Sequence, residues 1–324
     1  MATADEEKYE DRPLAPGLYL VATPIGNLED ITLRALRVLR SADRIACEDT
    51  RQTQKLLNHF QIATPTVSYH QHNEASRTEE LIVQLRAGAR IAVVSDAGTP
   101  GIADPGAEIA AAAIAAGVPV FPIPGANAAL SALIASGLLG TDSSRAEDAA
   151  AFTFHGFLPA KEGQRRTVLE VLAAKWVPQV PRTRAPGDES PIHIFYEAPH
   201  RILATLSDIE AIFGPAQHVV LARELTKLHE EFLREGVAEV RRMLAGRAAI
   251  KGEFVLLFTP APAAQAATRE ATSAETQLSL AVEVRGLMRS ENLSEMDALK
   301  RVARTRGLSK SAAYREWQRS RGKR

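Results

Sequence analysis

The stretch IAVVSDAGTPGIADPGAEIAAAAIAAG, residues 91–117, is the part of the sequence from which we infer the fold. It opens with the apolar run IAVV, which is typical of a buried parallel strand. The small residues from Ser95 to Gly101 then predict a turn. Asp104 followed by Pro105 predicts the start of a helix, with the aspartate as N-cap and the proline at the first helical position. Gly117 predicts the end of that helix.

A strand that leads through a glycine-containing loop into a helix is where open α/β sheets bind small molecules. Glycine lets backbone amides approach a ligand that a Cβ atom would keep away. An ordinary connection between a strand and a helix would have a similar sequence, so the loop alone leaves both interpretations open. The loop contains neither a G-x-G-x-x-G nor a Walker pattern, and therefore does not indicate a dinucleotide or the phosphates of ATP.

Length and composition limit the class of protein. The chain has 324 residues, of which 45% are hydrophobic and 24% charged, as in globular proteins with room for two domains and a tail. We expect no membrane segment, because no apolar run is long enough to cross a bilayer. The acidic N-terminus is unlike a secretory signal. Cys47 is the only cysteine, which excludes an internal disulfide and, with the other points, predicts a cytoplasmic protein.

Positive charge is concentrated at the C-terminus, although the formal net charge is zero. Residues 285–324 contain twelve Lys or Arg against four Asp or Glu, an excess of eight positive charges. A basic segment on an acidic body suggests a polyanionic partner, most often nucleic acid. A solvated helical tail explains the same composition equally well.

Strands and helices alternate along the chain, which predicts a parallel sheet with helices on both faces. The predicted strands of this first sheet are residues 17–22, 44–47, 66–69, 91–94 and 118–123. A second sheet is predicted from residues 152–157, 192–196, 218–222 and 254–258. The domain prediction is a disordered segment 1–16, an N-terminal α/β domain 17–124, a C-terminal α/β domain 125–260, a linker 261–276 and a basic helical module 277–324 that is helix-turn-helix-like.

Eight short motifs occur in one order: LVATPIGNLEDITLRAL from residue 20, ACEDTR from 46, HQHNE from 70, SDAGTPGIADPG from 95, PGANA from 124, HGFLP from 155, FYEAPHR from 195 and ARELTK from 222. Together they resemble the ribosomal RNA small subunit methyltransferase I family, which modifies the 2′-hydroxyl of a cytidine. That family belongs to the tetrapyrrole-methylase superfamily, whose members use S-adenosylmethionine. The similarity extends from about Gly17 to Phe258, and the basic tail resembles the family's C-terminal helical module. Two long polar segments, 141–150 and 178–191, depart from the pattern.

The resemblance implies two α/β domains of the tetrapyrrole-methylase type, with the methyl donor held in the cleft between them, and usually a homodimer. It implies small-subunit (16S) ribosomal RNA, or the 30S particle, as the partner. The donor contacts that it implies are Pro24, Ile25, Gly26, Asp96, Gly98, Thr99, Ile102, Asn127, Ala128, Phe157 and Ala198. For Asp96, capping of its own loop is the alternative.

A ribose hydroxyl is a poor nucleophile, so a base or an electrostatic assistant is expected. The main catalytic candidates are Asp49, Glu48 and Lys227, with Glu74 and His72 as further ones. An ordinary ion pair with Arg51 is the alternative for Asp49, and a solvated lysine is the alternative for Lys227. His70 and His72 have no third ligand at a suitable spacing, so we expect no metal site.

RNA would be held by side chains at the edge of the cleft, through phosphate contacts that weaken with salt. The candidates are Arg51, Lys55, His72, Asn73, Arg77, Lys161, Arg165, Arg166 and Arg201. A solvated side chain is the alternative for each of them. Two other functions remain open: a superfamily methyltransferase acting on a tetrapyrrole or other small acceptor, and a non-catalytic RNA-binding assembly factor.

Overall fold

The computed structural model describes residues 13–139, 151–176, 191–260 and 294–305, together with positions 284, 287, 288, 313, 314 and 317. Several segments named in the sequence analysis lie largely or wholly outside these residues. They are the predicted disordered segment 1–16, the two polar segments, the linker 261–276 and the tail helices predicted at 277–290 and 309–319. The chain divides into a larger unit, Met1–Ala261, and a smaller unit, Pro262–Arg324. None of the described helices combines the length and the apolarity needed to cross a membrane.

The first sheet is parallel, as predicted. Its strands are β1 (Gly17–Val21), β2 (Arg44–Cys47), β3 (Thr66–Ser68), β4 (Arg90–Val94) and β5 (Val120–Ile123), in the spatial order β3-β2-β4-β1-β5. The helices between them are α1 (Leu33–Ser41), α2 (Thr50–His59), α3 (Glu74–Arg86) and α4 (Ala107–Ala115). Because all five strands run in one direction, their carboxyl ends and the loops that follow meet at one edge of the sheet.

Both faces of the first sheet are buried. Val21 and Ile45 pack with Leu39 and Leu57 on one face, whereas Ile91 packs on the other face with residues of α3 and α4. Burial on both faces explains why the strands read as continuous apolar runs rather than alternating ones.

The predicted start of α4 is wrong. The helix begins at Ala107, and its N-cap is Gly106, which has a φ of +130°. A Cβ atom on Gly106 would lie 3.1 Å from the amide nitrogen of Gly101, so only glycine fits where the loop folds back on itself. The carboxylate of Asp104 is therefore not used as a helix cap. The predicted end of the helix is confirmed, because Gly117 follows the last turn with a φ of +71°.

The second sheet is mixed. Its strands are β6 (Phe152–Phe157), β7 (Ile192–Glu197), β8 (His218–Arg223), β9 (Glu231–Gly236) and β10 (Phe254–Phe258), in the order β6-β7-β10-β8-β9. Only β6 and β7 are parallel, and the other pairs are antiparallel. The edge strand β9 was not predicted, because only Leu233 of this charged segment is buried and its hydrophobic pattern is weak.

Four further helices belong to this part of the chain: α5 (Ala128–Ala135), α6 (Glu162–Trp176), α7 (Ile202–Phe213) and α8 (Val237–Ala245). Helix α5 packs its Ala132 and Leu133 against residues of β7 and β10, and Ile25 from the loop after β1 joins the same cluster. This apolar cluster links the first sheet's loop edge to the second sheet. The domain boundary at 124/125 stays a prediction.

In the smaller unit, helix α9 (Glu295–Thr305) buries Leu299 and Val302 in a small apolar cluster. The indole Nε1 of Trp317 donates a hydrogen bond of 2.8 Å to Glu295 and closes this cluster. The basic side chains Lys300, Arg301 and Arg304 are exposed on the opposite side of the helix. The α/β class of the larger unit agrees with the sequence prediction.

Candidate active site

A cavity of about 420 Å³ lies where the loop edge of the first sheet meets the second sheet. This volume is in the range of small-molecule sites. Nine of the eleven predicted donor contacts line it: Ile25, Asp96, Gly98, Thr99, Ile102, Asn127, Ala128, Phe157 and Ala198. Pro24 and Gly26 flank Ile25 without lining the cavity. The catalytic candidate Glu48 also lines it.

The sequence prediction missed several lining residues: Ala97, Ala103, Asp104, Tyr196, Pro199, Leu225, Glu253, Phe254 and Val255. Those from Ala97 to Asp104 lie inside a recognised motif, so a signal was available. Glu253, Phe254 and Val255 had none. They reach the cavity because β10 is antiparallel to β7, which places Phe254, at the start of β10, opposite Glu197, at the end of β7.

Hydrogen bonds between three loops hold the first-sheet wall of the cavity together. Thr23 and Gly98 exchange backbone hydrogen bonds of 2.8 and 3.0 Å, and Gly98 has a φ of +85°. The Thr99 hydroxyl donates to the carbonyl of Ala126 at 3.2 Å, and the Asn127 amide donates to Thr99 Oγ1 at 3.4 Å. The carboxyl ends of β1, β4 and β5 are thereby fixed relative to one another.

Three carboxyl groups face the cavity from this wall: Glu48, Asp96 and Asp104. Asp96 accepts a hydrogen bond of 3.1 Å from the amide of Asp49. Within the described part of the chain, the carboxylates of Glu48 and Asp104 have no hydrogen-bond or ion-pair partner. Burial, reinforced by the charges of Glu48 and Asp96, raises the pKa of Asp104 to about 6. Burial also raises the pKa of Glu48, and the charge of Asp96 adds to the effect.

Asp49 does not line the cavity. It caps α2 by accepting from the amide of Arg51 at 2.8 Å, and its carboxylate binds the guanidinium of the same residue at 3.1 and 3.2 Å. These bonds with Arg51 lower the pKa of Asp49. The ion pair that was the alternative for this residue is present in the structure.

Lys227 is held by two carboxylates, with Nζ at 2.8 Å from Glu224 and 3.0 Å from Glu253. Burial opposes its charge, but the bonds to Glu224 and Glu253 outweigh burial and raise the pKa of Lys227. Its aliphatic stem covers Gly26, where a Cβ atom would lie 2.4 Å from Lys227 Cγ. Lys227 therefore positions the loop after β1 through its contact with Gly26. Because its ammonium group is held in the charged form, Lys227 is unsuited to accept a proton.

The further catalytic candidates Glu74 and His72 also lie outside the cavity lining. Glu74 Oε1 accepts from the Tyr69 hydroxyl at 2.9 Å and from the amide of Gly106 at 3.3 Å, so it supports the loop before α4. No three His, Cys, Asp or Glu side chains in the described ranges are grouped as metal ligands would be.

The candidates for RNA contact fall into three groups, the third being Arg165 and Arg201. Arg51, Lys55, His72, Lys161 and Arg166 are exposed or carry a well-exposed side chain. Asn73 and Arg77 are partly buried in local contacts, Asn73 with the amide of His70 at 2.8 Å and Arg77 with Glu80.

The structure corrects the expectation for Arg165. This residue is only 4% exposed, and its guanidinium binds Asp208 at 2.7 Å and the carbonyl of Ala160 at 3.3 Å. On α6 it shares a face with the core residues Leu169 and Leu172, so its charge is directed inward. Arg201 is similarly engaged, because its guanidinium donates to the carbonyl of Leu158 and pairs with buried Glu197. Both arginines stabilise the fold around the cavity.

Comparisons with known proteins agree with this architecture. The family model of the Tetrapyrrole (Corrin/Porphyrin) Methylases matches residues 17–241. The proteins named "Ribosomal RNA small subunit methyltransferase I" of Halalkalibacterium halodurans and Synechocystis sp. are 52% and 44% identical to this chain. The first alignment covers 78% of each chain, and the second covers 92% of this chain and 95% of the relative.

Among solved structures, the methyltransferase CobJ superposes with a TM-score of 0.51 at 18% identity, covering 75% of this chain and 94% of its own. A diphthine synthase superposes with a TM-score of 0.50 at 14% identity, covering 78% and 94%. These likenesses concern the fold. The family model and the sequence relatives confirm the family prediction: the chain belongs to the ribosomal RNA small subunit methyltransferase I family, within the tetrapyrrole methylases.

Proposed function

We propose that this protein transfers a methyl group from S-adenosylmethionine to the ribose 2′-hydroxyl of a cytidine in small-subunit (16S) ribosomal RNA. The observation that carries the proposal is the convergence on one cavity of nine predicted donor contacts, which are spread along the sequence from Ile25 to Ala198. The names of relatives that align over most of the chain support the choice of RNA as acceptor.

The cavity fits the donor in chemistry as well as in volume. Ile25, Leu225, Phe254 and Val255 are buried and form an apolar wall suited to an adenine ring. The first-sheet loops also carry carboxylates, which favour a ligand with positive charge on sulfur and on an ammonium group. When bound, S-adenosylmethionine supplies an electrophilic methyl group. We propose that Asp96, fixed by the amide of Asp49, contacts the polar part of the donor.

Positioning supplies much of the rate acceleration in such a displacement, because the acceptor oxygen must approach the methyl carbon from the side opposite sulfur. The hydrogen bonds of Gly98, Thr99 and Asn127 hold the three loops in place for this task. Ile25, Ala128 and Ala198 line the site with apolar surface.

The acceptor hydroxyl loses its proton as the new bond to carbon forms. We propose that Asp104 takes this proton, because its carboxylate lines the cavity without a partner among the described residues and has a pKa of about 6. Burial raises the pKa of Asp104, and the charge of Glu48 on the same wall adds to this effect. Asp49 and Lys227 then act as supports.

RNA would contact the exposed basic side chains near the cavity, namely Arg51, Lys55, Lys161 and Arg166 with His72, and the basic face of α9. Asn73 and Arg77 would make additional contacts with the RNA. Such contacts with phosphates provide affinity without sequence choice. A homodimer and a cytoplasmic location belong to the same proposal and are supported by the family resemblance.

The experiment that tests the proposal is transfer of labelled methyl from S-adenosylmethionine to naked 16S ribosomal RNA and, separately, to 30S particles. We expect label on a single ribose, located by nuclease digestion and mass spectrometry. Label on a base would contradict the ribose assignment. Label absent from RNA but present on a small acceptor would favour the tetrapyrrole alternative, and RNA binding without any transfer would favour an assembly factor.

A further inference from the structure

Phe157 differs from the other aromatic residues near the cavity. Its side chain lines the cavity yet is 55% exposed, whereas Phe195 and Phe254 in the neighbouring strands are at most 2% exposed. An exposed ring contributes little to the hydrophobic stabilisation of the fold. Its place at the rim therefore needs another explanation.

A β-bulge directs this ring toward the cavity. Phe154 lies opposite Ile194 and Phe157 lies opposite Tyr196, so β6 uses three steps where β7 uses two. Gly156 accommodates the extra residue with a φ of +66°. In a regular strand, residues three apart point to opposite faces, but the bulge brings Phe154 and Phe157 to the same one.

Ring contacts confirm the common face. The ring centroids of Phe154 and Phe157 lie 4.9 and 5.6 Å from that of Tyr196, both in edge-on geometry. His155, between them, stacks on Phe195 on the other face of the sheet at 4.6 Å. The motif HGFLP thus encodes a bulge that presents one aromatic ring at the rim.

The ring has an apolar neighbour on the first-sheet wall. A Cβ atom on Gly156 would lie 3.8 Å from Cβ of Ala103, which places the loop around Ala103 against the bulge. Ile102, the adjacent residue, lines the cavity and is 40% exposed. Phe157 and Ile102 thus line the cavity as half-exposed apolar residues on neighbouring segments, whereas Ile25 and Phe254 line it as buried ones.

We propose that Phe157, with Ile102 beside it, is the surface on which the pyrimidine base of the acceptor nucleotide stacks. The inference rests on the proposed function and specifies how that site receives its acceptor. It replaces the expectation that these two residues contact the methyl donor. Proteins that recognise unpaired RNA commonly stack bases on phenylalanine.

Two observations favour the acceptor base over adenine. The buried wall formed by Ile25, Leu225, Phe254 and Val255 already offers an enclosed apolar surface, whereas a base on Phe157 stays partly in water, as an incoming nucleotide must. In addition, Lys161 lies four residues after Phe157, immediately before α6, and is exposed. From there it can contact the phosphate of the same nucleotide.

The test compares Phe157→Ala with Phe152→Ala. Phe152 is on the same strand and is 47% exposed, but it does not line the cavity, so it is a matched control for loss of an exposed ring. We measure kcat/KM for whichever of 16S ribosomal RNA or the 30S particle the wild type methylates, and the Kd of S-adenosylhomocysteine by calorimetry. Phe157→Leu and Phe157→Trp serve as apolar and aromatic replacements.

Phe157→Ala should lower kcat/KM for RNA by roughly 10- to 100-fold, the range expected for one lost stacking contact, with an unchanged Kd for S-adenosylhomocysteine. Phe157→Trp should restore most of the rate and Phe157→Leu only part. Equal melting temperatures for the two alanine variants would show that both fold.

Two results would overturn the inference: RNA kinetics as mild as those of Phe152→Ala, or a Kd for S-adenosylhomocysteine that rises as much as kcat/KM falls. The second result would make Phe157 a contact of the methyl donor, as the family resemblance implied. Failure of the proposed function is seen separately, because the wild type itself would then place no label in RNA.

Discussion

The two walls of the cavity are built differently. The first-sheet wall consists of loops that follow parallel strands, and it carries the carboxyl groups of Glu48, Asp96 and Asp104. The wall from the second sheet consists largely of strand ends, and it carries apolar and aromatic side chains such as Phe254 and Phe157. We infer a division of labour in which the first wall supplies charge and proton transfer and the second supplies shape and stacking.

The two sheets that meet at the cavity also differ in their response to pH, through Asp104 in a loop of the first sheet and His193 in a strand of the second. Asp104 has a pKa raised above that of an unfolded aspartate, so its contribution to stability is present below pH 4 and is lost as the pH rises through about 6. His193, in β7, has a pKa lowered to about 4 by burial and by His155, and both are neutral in the fold. Its contribution is present above about pH 6.5, the pKa of an unfolded histidine, and is lost as the pH falls toward 4.

The largest effect is expected at the charged wall. Asp104→Asn should lower kcat/KM for RNA by about 10²- to 10⁴-fold, because the acceptor proton loses its base. In the wild type, kcat/KM should rise with pH through about 6, where Asp104 ionises in the free enzyme. Steady-state kinetics of the wild type and of Asp104→Asn between pH 5 and 8 would check both predictions. The rise of kcat/KM through pH 6 must be absent in the variant.

The same variant has a built-in control. Asp104→Asn removes a half-buried charge, so at pH 8 it should be more stable than the wild type by about 1–2 kcal/mol, after allowance for solvent screening. A slower but more stable enzyme would separate catalysis from damage to the fold. If the Asp104→Asn enzyme kept the kcat/KM of the wild type, Asp104 would not be the base, and Glu48 would be the residue that takes the proton.

The next effect concerns two adjacent arginines of α6, of which Arg165 is buried and Arg166 has a partly exposed side chain. Arg165→Ala should destabilise the protein by about 3–5 kcal/mol, because it leaves the carboxylate of Asp208 buried with only a distant partner, Arg166 at 3.7 Å. Arg166→Ala should change stability by less than about 1 kcal/mol and instead reduce the salt dependence of RNA binding. Urea unfolding and binding titrations at several salt concentrations would test the pair.

A smaller effect is expected at Asp96. Asp96→Ala should weaken binding of S-adenosylhomocysteine by about 10- to 100-fold, the value of one hydrogen bond to a charged group. Asp96→Asn keeps an acceptor for the amide of Asp49 and should lose less affinity. If calorimetry gave one Kd for both variants and the wild type, Asp96 would be a loop cap and nothing more.

The smallest effect is expected at the histidine pair. Nε2 of His155 and Nδ1 of His193 lie 2.8 Å apart, with His193 buried. As the pH falls from 7 to 5, the histidine pair should lower the free energy of unfolding of the wild type by about 1–2 kcal/mol. In His193→Leu this decrease should be smaller. Melting curves of His193→Leu and Asp104→Asn from pH 4.5 to 8 should diverge from the wild type in opposite directions. A parallel shift of both would remove this contrast between the first and the second sheet.

Much of the first sheet could be predicted from local sequence. The apolar runs of β1, β2 and β4 and the glycine at the end of α4 carry their own signals, because a strand buried on both faces and a left-handed C-terminal glycine each restrict residue type locally. The second sheet was less predictable. Its edge strand β9 buries a single side chain, and its order depends on antiparallel pairings between residues distant in the chain.

The same division holds for the site. Motifs identified Ile25, Asp96, Asn127 and most other donor candidates, since loops after strands need particular small or polar residues. Sequence alone misassigned two charged residues: Asp104 was taken for a helix cap and Arg165 for a surface cation. Each error has the same origin, because burial and neighbouring charge decide what an ionisable group does, and neither is encoded in the residue itself.

The amino-acid sequence by itself determined the family, the parallel α/β pattern and the loops that would border a ligand. Only the tertiary structure decided that Asp104 is free to hold a proton, that Lys227 clamps Gly26, and that a bulge turns Phe157 to the cavity rim. Local backbone preference and hydrophobic periodicity act over a few residues and can be read along the chain. The electrostatic environment of a side chain and the direction in which it points depend on contacts between residues many tens of positions apart. They are therefore defined only once the two sheets have folded.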